Sequence, residues 1–291
     1  LLSRTGIIPI SFTQDTPGPM TRTVEDAAVC LGVLTGIDQQ DQKTLESEGK
    51  SLTDYTLNLK KDGLNSKRIG IIKNSGGFSA RVDDLMKQAI AEMSAQGAVM
   101  IEVEAPRGSA YEDASYEVML FEFRDGLNRY FKGLGDDAPV KNISELIEFN
   151  KSDPVELRYF DQKILEMADK KGDLSSPDYK KSLEKMLRAT REEGIDSLMN
   201  SNDLDALISP TGSPAWKTDL LLGDHYIGGS SSLAAISGYP AITVPLGFVE
   251  NLPVGITFFG RAWSESLLIE IAYSYEQNTL HRKKPMYLVT D

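Results

Sequence analysis

The sequence predicts an α/β protein with a mixed β-sheet and a helical insertion, and three observations carry that expectation. "RIGII" (68–72), a helical run "VDDLMKQAIAEMSAQG" (82–97) and "AVMIEVE" (98–104) succeed one another as strand, helix and strand. This order implies parallel strands joined by a right-handed crossover. Two further apolar runs, "PAITVPLGF" (240–248) and "PVGITFFGR" (253–261), read as strands joined by a short turn. Residues 109–202 keep a helical period almost throughout.

Taken in order, "SFTQDTPGPMTRTVEDAA" (11–28) is a loop shaped by Pro17 and Pro19 that feeds a helix. Thr23 suits the N-cap, and Glu25 and Asp26 fall in the first turn, where the helix dipole favours carboxylates. Val24, Ala27, Ala28, Leu31 and Leu34 form the apolar stripe, and Gly36 ends the helix. Cys30 is expected on the buried face as a packed thiol. Residues 38–66 are polar and irregular, the pattern of a surface excursion. "NSGGFS" (74–79) follows a strand and reads as a helix-entry turn, since it has neither the spacing nor the Lys-Ser/Thr pair of a phosphate loop.

Between 109 and 202, turn signals at "GLGDDAP", "KSDP" and "KKGDLSSP" divide the run into about four helices, expected to form a cap over the sheet within one domain spanning 1–291. Asn142 with Glu145 resembles a capping box, and Ser176 before Pro177 marks another helix start. The charge-rich faces of this region read as solvated surface. "LDALISP" (204–210) returns to a buried strand, "GGSSSLAAISG" (228–238) gives a short helix, and a last helix runs from Ser264 through Tyr275.

A hydrophobic content of 41% and a charged content of 25% are those of a folded globular protein. The net charge of −12 opposes phosphate backbones, so no nucleic-acid partner is expected. A single cysteine excludes an internal disulfide, and the cytoplasm is the inferred compartment. The uncharged run Tyr226 to Val249 is broken by Gly238, Pro240 and Pro245, so it is no membrane span. The opening "LLSRTGIIP" has no Met and no signal pattern, which suggests a fragment or a piece of a split protein.

Few residues offer chemistry by themselves. Only His225 and His281 exist besides the one cysteine, with no metal-ligand spacing, and neither a metal nor a cofactor is expected. His281, in a basic tail, reads as solvated, and there is no G-x-S-x-G elbow. Ser230 to Ser232, beside two glycines, resemble an oxyanion-forming turn, but no base adjoins them in sequence. Capping of a helix N-terminus explains them better. Asp15 has two readings, a loop-fixing pair with Arg22 or a substrate contact.

Three segments taken together, "GIIPISFTQDTPGPMTRTVEDAA", "DALISPTGSPAW" and "GYPAITVPLGF…LPVGITFFGRAWSESLLIEIAYSYE", resemble the C-terminal portion of an amidase signature family enzyme. The wording "SFTQDTPGPM" and "SPTGSPAW" is similar to the peptide amidase-like branch. The resemblance implies an α/β/α fold that hydrolyses linear carboxamides, small-molecule or peptide, without metal. The chemistry it implies uses a serine nucleophile, a second serine at a cis peptide and a lysine base that desolvation keeps neutral. In the family these groups lie before the segment matching Ile7–Pro19, so no catalytic residue is assigned here. The isolated chain is then expected to be inactive, with the missing N-terminal portion as its partner. The resemblance assigns a substrate-lining role to Phe12, Thr13, Gln14 and Asp15 and to Thr211, Ser213 and Pro214. Alternatives are the A-type component of a glutamine-dependent aminoacyl-tRNA amidotransferase and a non-catalytic split-gene remnant. Without the missing portion, the faces of "PAITVPLGF" and of the 24–34 helix are expected to be exposed.

Overall fold

A computed structural model describes residues 1–287. Five strands form one sheet: β1 (Arg68–Ile72), β2 (Val99–Val103), β3 (Ala206–Pro210), β4 (Ala241–Val249) and β5 (Leu252–Phe259), in the order β2-β1-β3-β5-β4. β1 is parallel to β2 and β3, with Ile71 opposite both Glu102 and Ile208. β5 runs antiparallel between β3 and β4, so the sheet is mixed as expected. β3 is buried at all five positions, as a strand covered on both faces must be.

On one face, α1 (Val24–Leu34), α2 (Ala80–Ala95) and α9 (Glu265–Thr279) cover Ile69, Ile208, Val244, Ile256 and Phe258. The Thr23 side chain accepts from Asp26 N at 3.0 Å, the expected N-cap. Glu276 of α9 accepts from Val24 N at 3.0 Å and joins the two helices. Between Glu112 and Ser201 the chain forms α3 (Glu112–Gly133), α4 (Ile143–Ser152), α5 (Lys163–Asp169), α6 (Pro177–Thr190) and α7 (Asp196–Ser201). Parts of α3, α6 and α7, with α8 (Ser231–Ser237), pack on the opposite face of the sheet around Val103, Val118, Phe121, Leu207, Leu233 and Phe259. Gly70 lets this layer come close, since a Cβ there would lie 2.6 Å from Leu204 Cδ1. Gly238, at φ +69°, closes α8 in the left-handed region.

Several expectations are corrected. The 38–66 segment is a packed connection with two 3₁₀ turns, and it buries Tyr55 and Leu64 completely enough to join the core. Cys30 is half-buried, because the stripe that faces inward is centred on Val24 and Ala28. His281 is not solvated: its Nε2 lies 3.0 Å from Glu92 and its ring stacks obliquely near Tyr275. The Ser230 side chain caps no helical N–H; its hydroxyl donates to Pro210 O at 2.7 Å. The outer face of α1 is open, with Val33 80% exposed, as are Ala241 and Thr243 of β4.

Candidate functional site

The first segment, 9–15, is held as a compact turn against α3. Gln14 N and Asp15 N both donate to Ser11 O, at 2.8 and 2.7 Å. Asp15 Oδ2 accepts from Ile10 N and Ser11 N at 2.9 and 3.0 Å, so its carboxylate closes its own loop. Arg22 forms no ion pair with it among the described residues. Arg4 instead ties the loop down, by a hydrogen bond to Phe12 O and a paired contact with Asp41 at 2.6 Å. That guanidinium holds the Asp41 carboxyl at about 2.

The centre of the turn's attachment is Glu122, on α3 and fully buried. Its Oε2 accepts from Ser11 Oγ at 2.7 Å, Thr13 Oγ1 at 3.0 Å and Thr13 N at 3.1 Å. Its Oε1 accepts from Tyr179 OH at 2.8 Å. Burial and the adjoining carboxylate push the Tyr179 phenol well above its ordinary range. Gln14 Nε2 reaches Ser115 Oγ at 3.2 Å, and Pro9 rests on Gly126, where a Cβ would lie 2.8 Å from the Pro9 ring. Thr13, Gln14 and Asp15 are therefore spent on holding this wall, while Phe12 is half-buried.

The second segment leaves the C-terminal end of β3. Thr211 N donates to Gly255 O at 2.8 Å and prolongs the β3–β5 ladder by one residue. Gly212 then bridges Gly229, with Ser213 N donating to Gly228 O at 3.2 Å, so residues 213–228 form an excursion with a closed stem. Phe78 lies against Gly228, where any Cβ would sit 2.6 Å from its ring. This places the "NSGGFS" turn after β1 beside the stem, at the C-terminal edge of the parallel strands, where open α/β sheets bind ligands. Ser213 Oγ is buried without a partner, and Pro214 is half-buried beside it in sequence. Trp216 and Tyr226 meet edge to face at 6.0 Å across the excursion.

Thr211 Oγ1 lies 2.8 Å from Thr257 Oγ1, which lies 3.1 Å from Thr243 Oγ1. No hydrogen bond joins residues 12–15 to residues 211–214 among the described residues. The first predicted segment is thus fastened to α3 and the second to the C-terminal end of β3. His225 is exposed on the excursion. Glu122, Tyr179, Thr243 and Thr257 adjoin the predicted residues, and sequence reasoning does not reach them. For Glu122 the signal is slight: Val118 and Gly126 stand one helical turn to either side, but Glu117, Arg124 and Asp125 make the stretch read as charged.

No lysine amine hydrogen-bonds a serine hydroxyl among the described residues. No cluster of three or more His, Cys, Asp or Glu suited to a metal occurs among them, and no helix is long and apolar enough to cross a membrane.

An open mixed sheet with helices on both faces places the chain in the α/β class of folds. The chain belongs to the Amidase family, whose model matches residues 1–269. It is 33% identical over 99% of its length to a probable amidase of Arabidopsis thaliana, of which it covers 53%. It is 30% identical over 96% of its length to the A-type component of glutamyl-tRNA(Gln) amidotransferase from Acinetobacter baumannii, of which it covers 57%. Its fold matches that of peptide amidase crystallised with the competitive inhibitor chymostatin at a TM-score of 0.94 and 42% identity. That match covers 99% of this chain and 58% of the other. Native peptide amidase of Stenotrophomonas maltophilia matches at a TM-score of 0.91 and 41% identity, over 99% of this chain and 58% of that one. The chain therefore spans a little over half the length of the curated relatives it matches.

Proposed function

We propose that this chain is the C-terminal portion of an amidohydrolase that cleaves linear carboxamides. The observation that carries the reading is the 42% identity and 0.94 TM-score to inhibitor-bound peptide amidase across 99% of the chain. In this reading the nucleophilic serine, a second serine at a cis peptide and a lysine base belong to polypeptide outside residues 1–291. The lysine, desolvated and neutral, takes the proton as the serine attacks the amide carbon. Backbone N–H groups stabilise the resulting oxyanion, ammonia or an amine leaves, and water releases the acid. Residues 1–291 supply the wall: Phe12 to Asp15 on the α3 side, and Thr211, Ser213 and Pro214 at the end of β3. The helical stretch 109–202 acts as a cap that holds the first of these walls.

The test is an amide-hydrolysis assay on purified residues 1–291 and on the polypeptide with its upstream sequence. Turnover is expected only in the second. Turnover by residues 1–291, with a serine-directed reagent found on Ser230, Ser231 or Ser232 by mass spectrometry, would overturn the assignment.

A second reading has an observation of its own, the 30% identity to an A-type amidotransferase component. The higher identity to peptide amidase favours the first. Co-purification with stable partner proteins and tRNA would reverse that order.

A further inference from the structure

Phe12 is half-buried, yet it joins none of the three hydrophobic cores among the described residues. Core packing therefore does not set its place; its neighbours along the chain do. Ser11 and Thr13, on either side of it, both donate to Glu122 Oε2, at 2.7 and 3.0 Å, and the Phe12 carbonyl accepts from Arg4. Asp15 closes the same turn from within, and Arg4 is itself anchored on Asp41. Glu122 is anchored in turn by Tyr179, whose hydroxyl donates to Oε1 at 2.8 Å and whose ring lies 5.7 Å from that of Phe121. A loop tied at both flanks and at its carbonyl has lost its freedom before any ligand arrives. The ring that it carries can then meet a ligand with little further ordering cost.

We propose that Phe12 is the apolar contact for the substrate side chain beside the scissile amide, and that Glu122 is the positioning residue that holds it there. The inference rests on the amidase reading above and adds a substrate class to it, amides that carry a bulky apolar side chain. Phe12 has no polar handle, so what it offers a substrate is apolar area removed from water. A side chain as large as its own gains from that contact, and a glycine amide gains nothing. Glu122 suits its part because an ionised carboxylate only accepts, and one of its four donors, Thr13 N–H, cannot do otherwise than donate. Glutamine can copy the arrangement, with its oxygen toward Ser11 and Thr13 and its nitrogen donating to the Tyr179 oxygen. Alanine copies none of it. Tyr179 acts one step further back: it steadies Glu122 and forms no hydrogen bond to the 9–15 turn among the described residues.

The experiment is steady-state hydrolysis by the polypeptide with its upstream sequence, comparing N-acetyl-L-phenylalaninamide with N-acetylglycinamide. The readout is the ratio of their kcat/KM values, which does not depend on how much of the enzyme is folded. The phenylalanine amide should be favoured about tenfold or more, and Phe12→Ala should remove about that factor. Glu122→Ala should do the same, Tyr179→Phe should lower the ratio about threefold, and Glu122→Gln should restore it to within about twofold. A residue that only stabilised the fold would lower both rates alike and leave the ratio unmoved. Where Glu122→Ala does not fold, Tyr179→Phe decides alone. No preference for the phenylalanine amide, or a ratio unchanged in Phe12→Ala or in Tyr179→Phe, overturns the proposal. Hydrolysis of both amides with an unmoved ratio keeps the amidase reading and loses only this inference. Hydrolysis of neither takes both away.

Discussion

Ser11 and Glu122 stand 111 residues apart in sequence, yet the serine hydroxyl donates to the buried carboxylate at 2.7 Å. With both Thr13 donors and Tyr179, four hydrogen bonds converge on one glutamate. This density makes the turn at 9–15 part of the helical layer and no longer a free loop. Glu122→Ala leaves polar groups of three residues, Ser11, Thr13 and Tyr179, unpaired and should destabilise the chain by about 2–4 kcal/mol. Denaturant unfolding measures that loss. Hydrogen exchange should show residues 10–15 opening first.

Asp41 gives the chain an acid-sensitive clamp. Its folded value of about 2 lies below the ordinary 3.8 because Arg4 bonds and attracts the ionised form. The stabilisation is complete above the unfolded value and is lost as pH falls through the folded one. It amounts to about 2 kcal/mol at most, since solvent reaching the pair screens part of the attraction. Melting temperatures taken from pH 6 down to pH 2 should therefore fall less steeply in Asp41→Asn than in the unaltered chain.

Gly126→Ala reverses the usual sign of a helical substitution. Removing a glycine from a helix interior ordinarily stabilises by about 0.5–1 kcal/mol. Here the new methyl would meet Pro9 at 2.8 Å, and overpacking costs about 1–3 kcal/mol. A lowered melting point in Gly126→Ala is expected. Gly133→Ala, at a position with open space, serves as the control and should show no loss.

Residues 1–291 on their own should self-associate through the open side of α1. Val29, Val33 and Leu34 are 53%, 80% and 49% exposed, and Met20 is 99% exposed in the loop before them. Exposed apolar groups in this number favour burial against another surface. Light scattering should find a mass above that of one chain, rising with concentration. Val33→Glu should lower it.

Periodicity carries the regular elements well. The crossover 68–104, the strand ending at Pro210 and the turn-linked pair β4–β5 follow from apolar spacing and Gly/Pro punctuation, and the structure has all of them. What spacing cannot give is the partner of a polar group. Glu122 sits in a charge-rich helix and looks solvated until Ser11, Thr13 and Tyr179 are brought to it from elsewhere. Asp15 has an arginine seven residues on, but two backbone N–H groups of its own turn lie nearer. The 38–66 segment lacks a period because its buried groups, Thr44, Ser47, Tyr55 and Leu64, are held by 3₁₀ turns and side-chain hydrogen bonds. Thr243 and Thr257 read as ordinary strand threonines. Their neighbourhood exists only once β3, β5 and β4 are in register.

The last strand in the sheet order has a further consequence. β4 bonds to β5 along one flank, and the peptide groups on its other flank must be met by water or by another backbone. Pro245 brings no amide hydrogen, and the ladder slips between Pro245 and Gly247. Within β4, Pro245 is thus the one position that can offer an added strand no amide donor. A strand added there finds an unbroken run of donors and acceptors ahead of the proline, along Ala241–Val244, and an interrupted one beyond it.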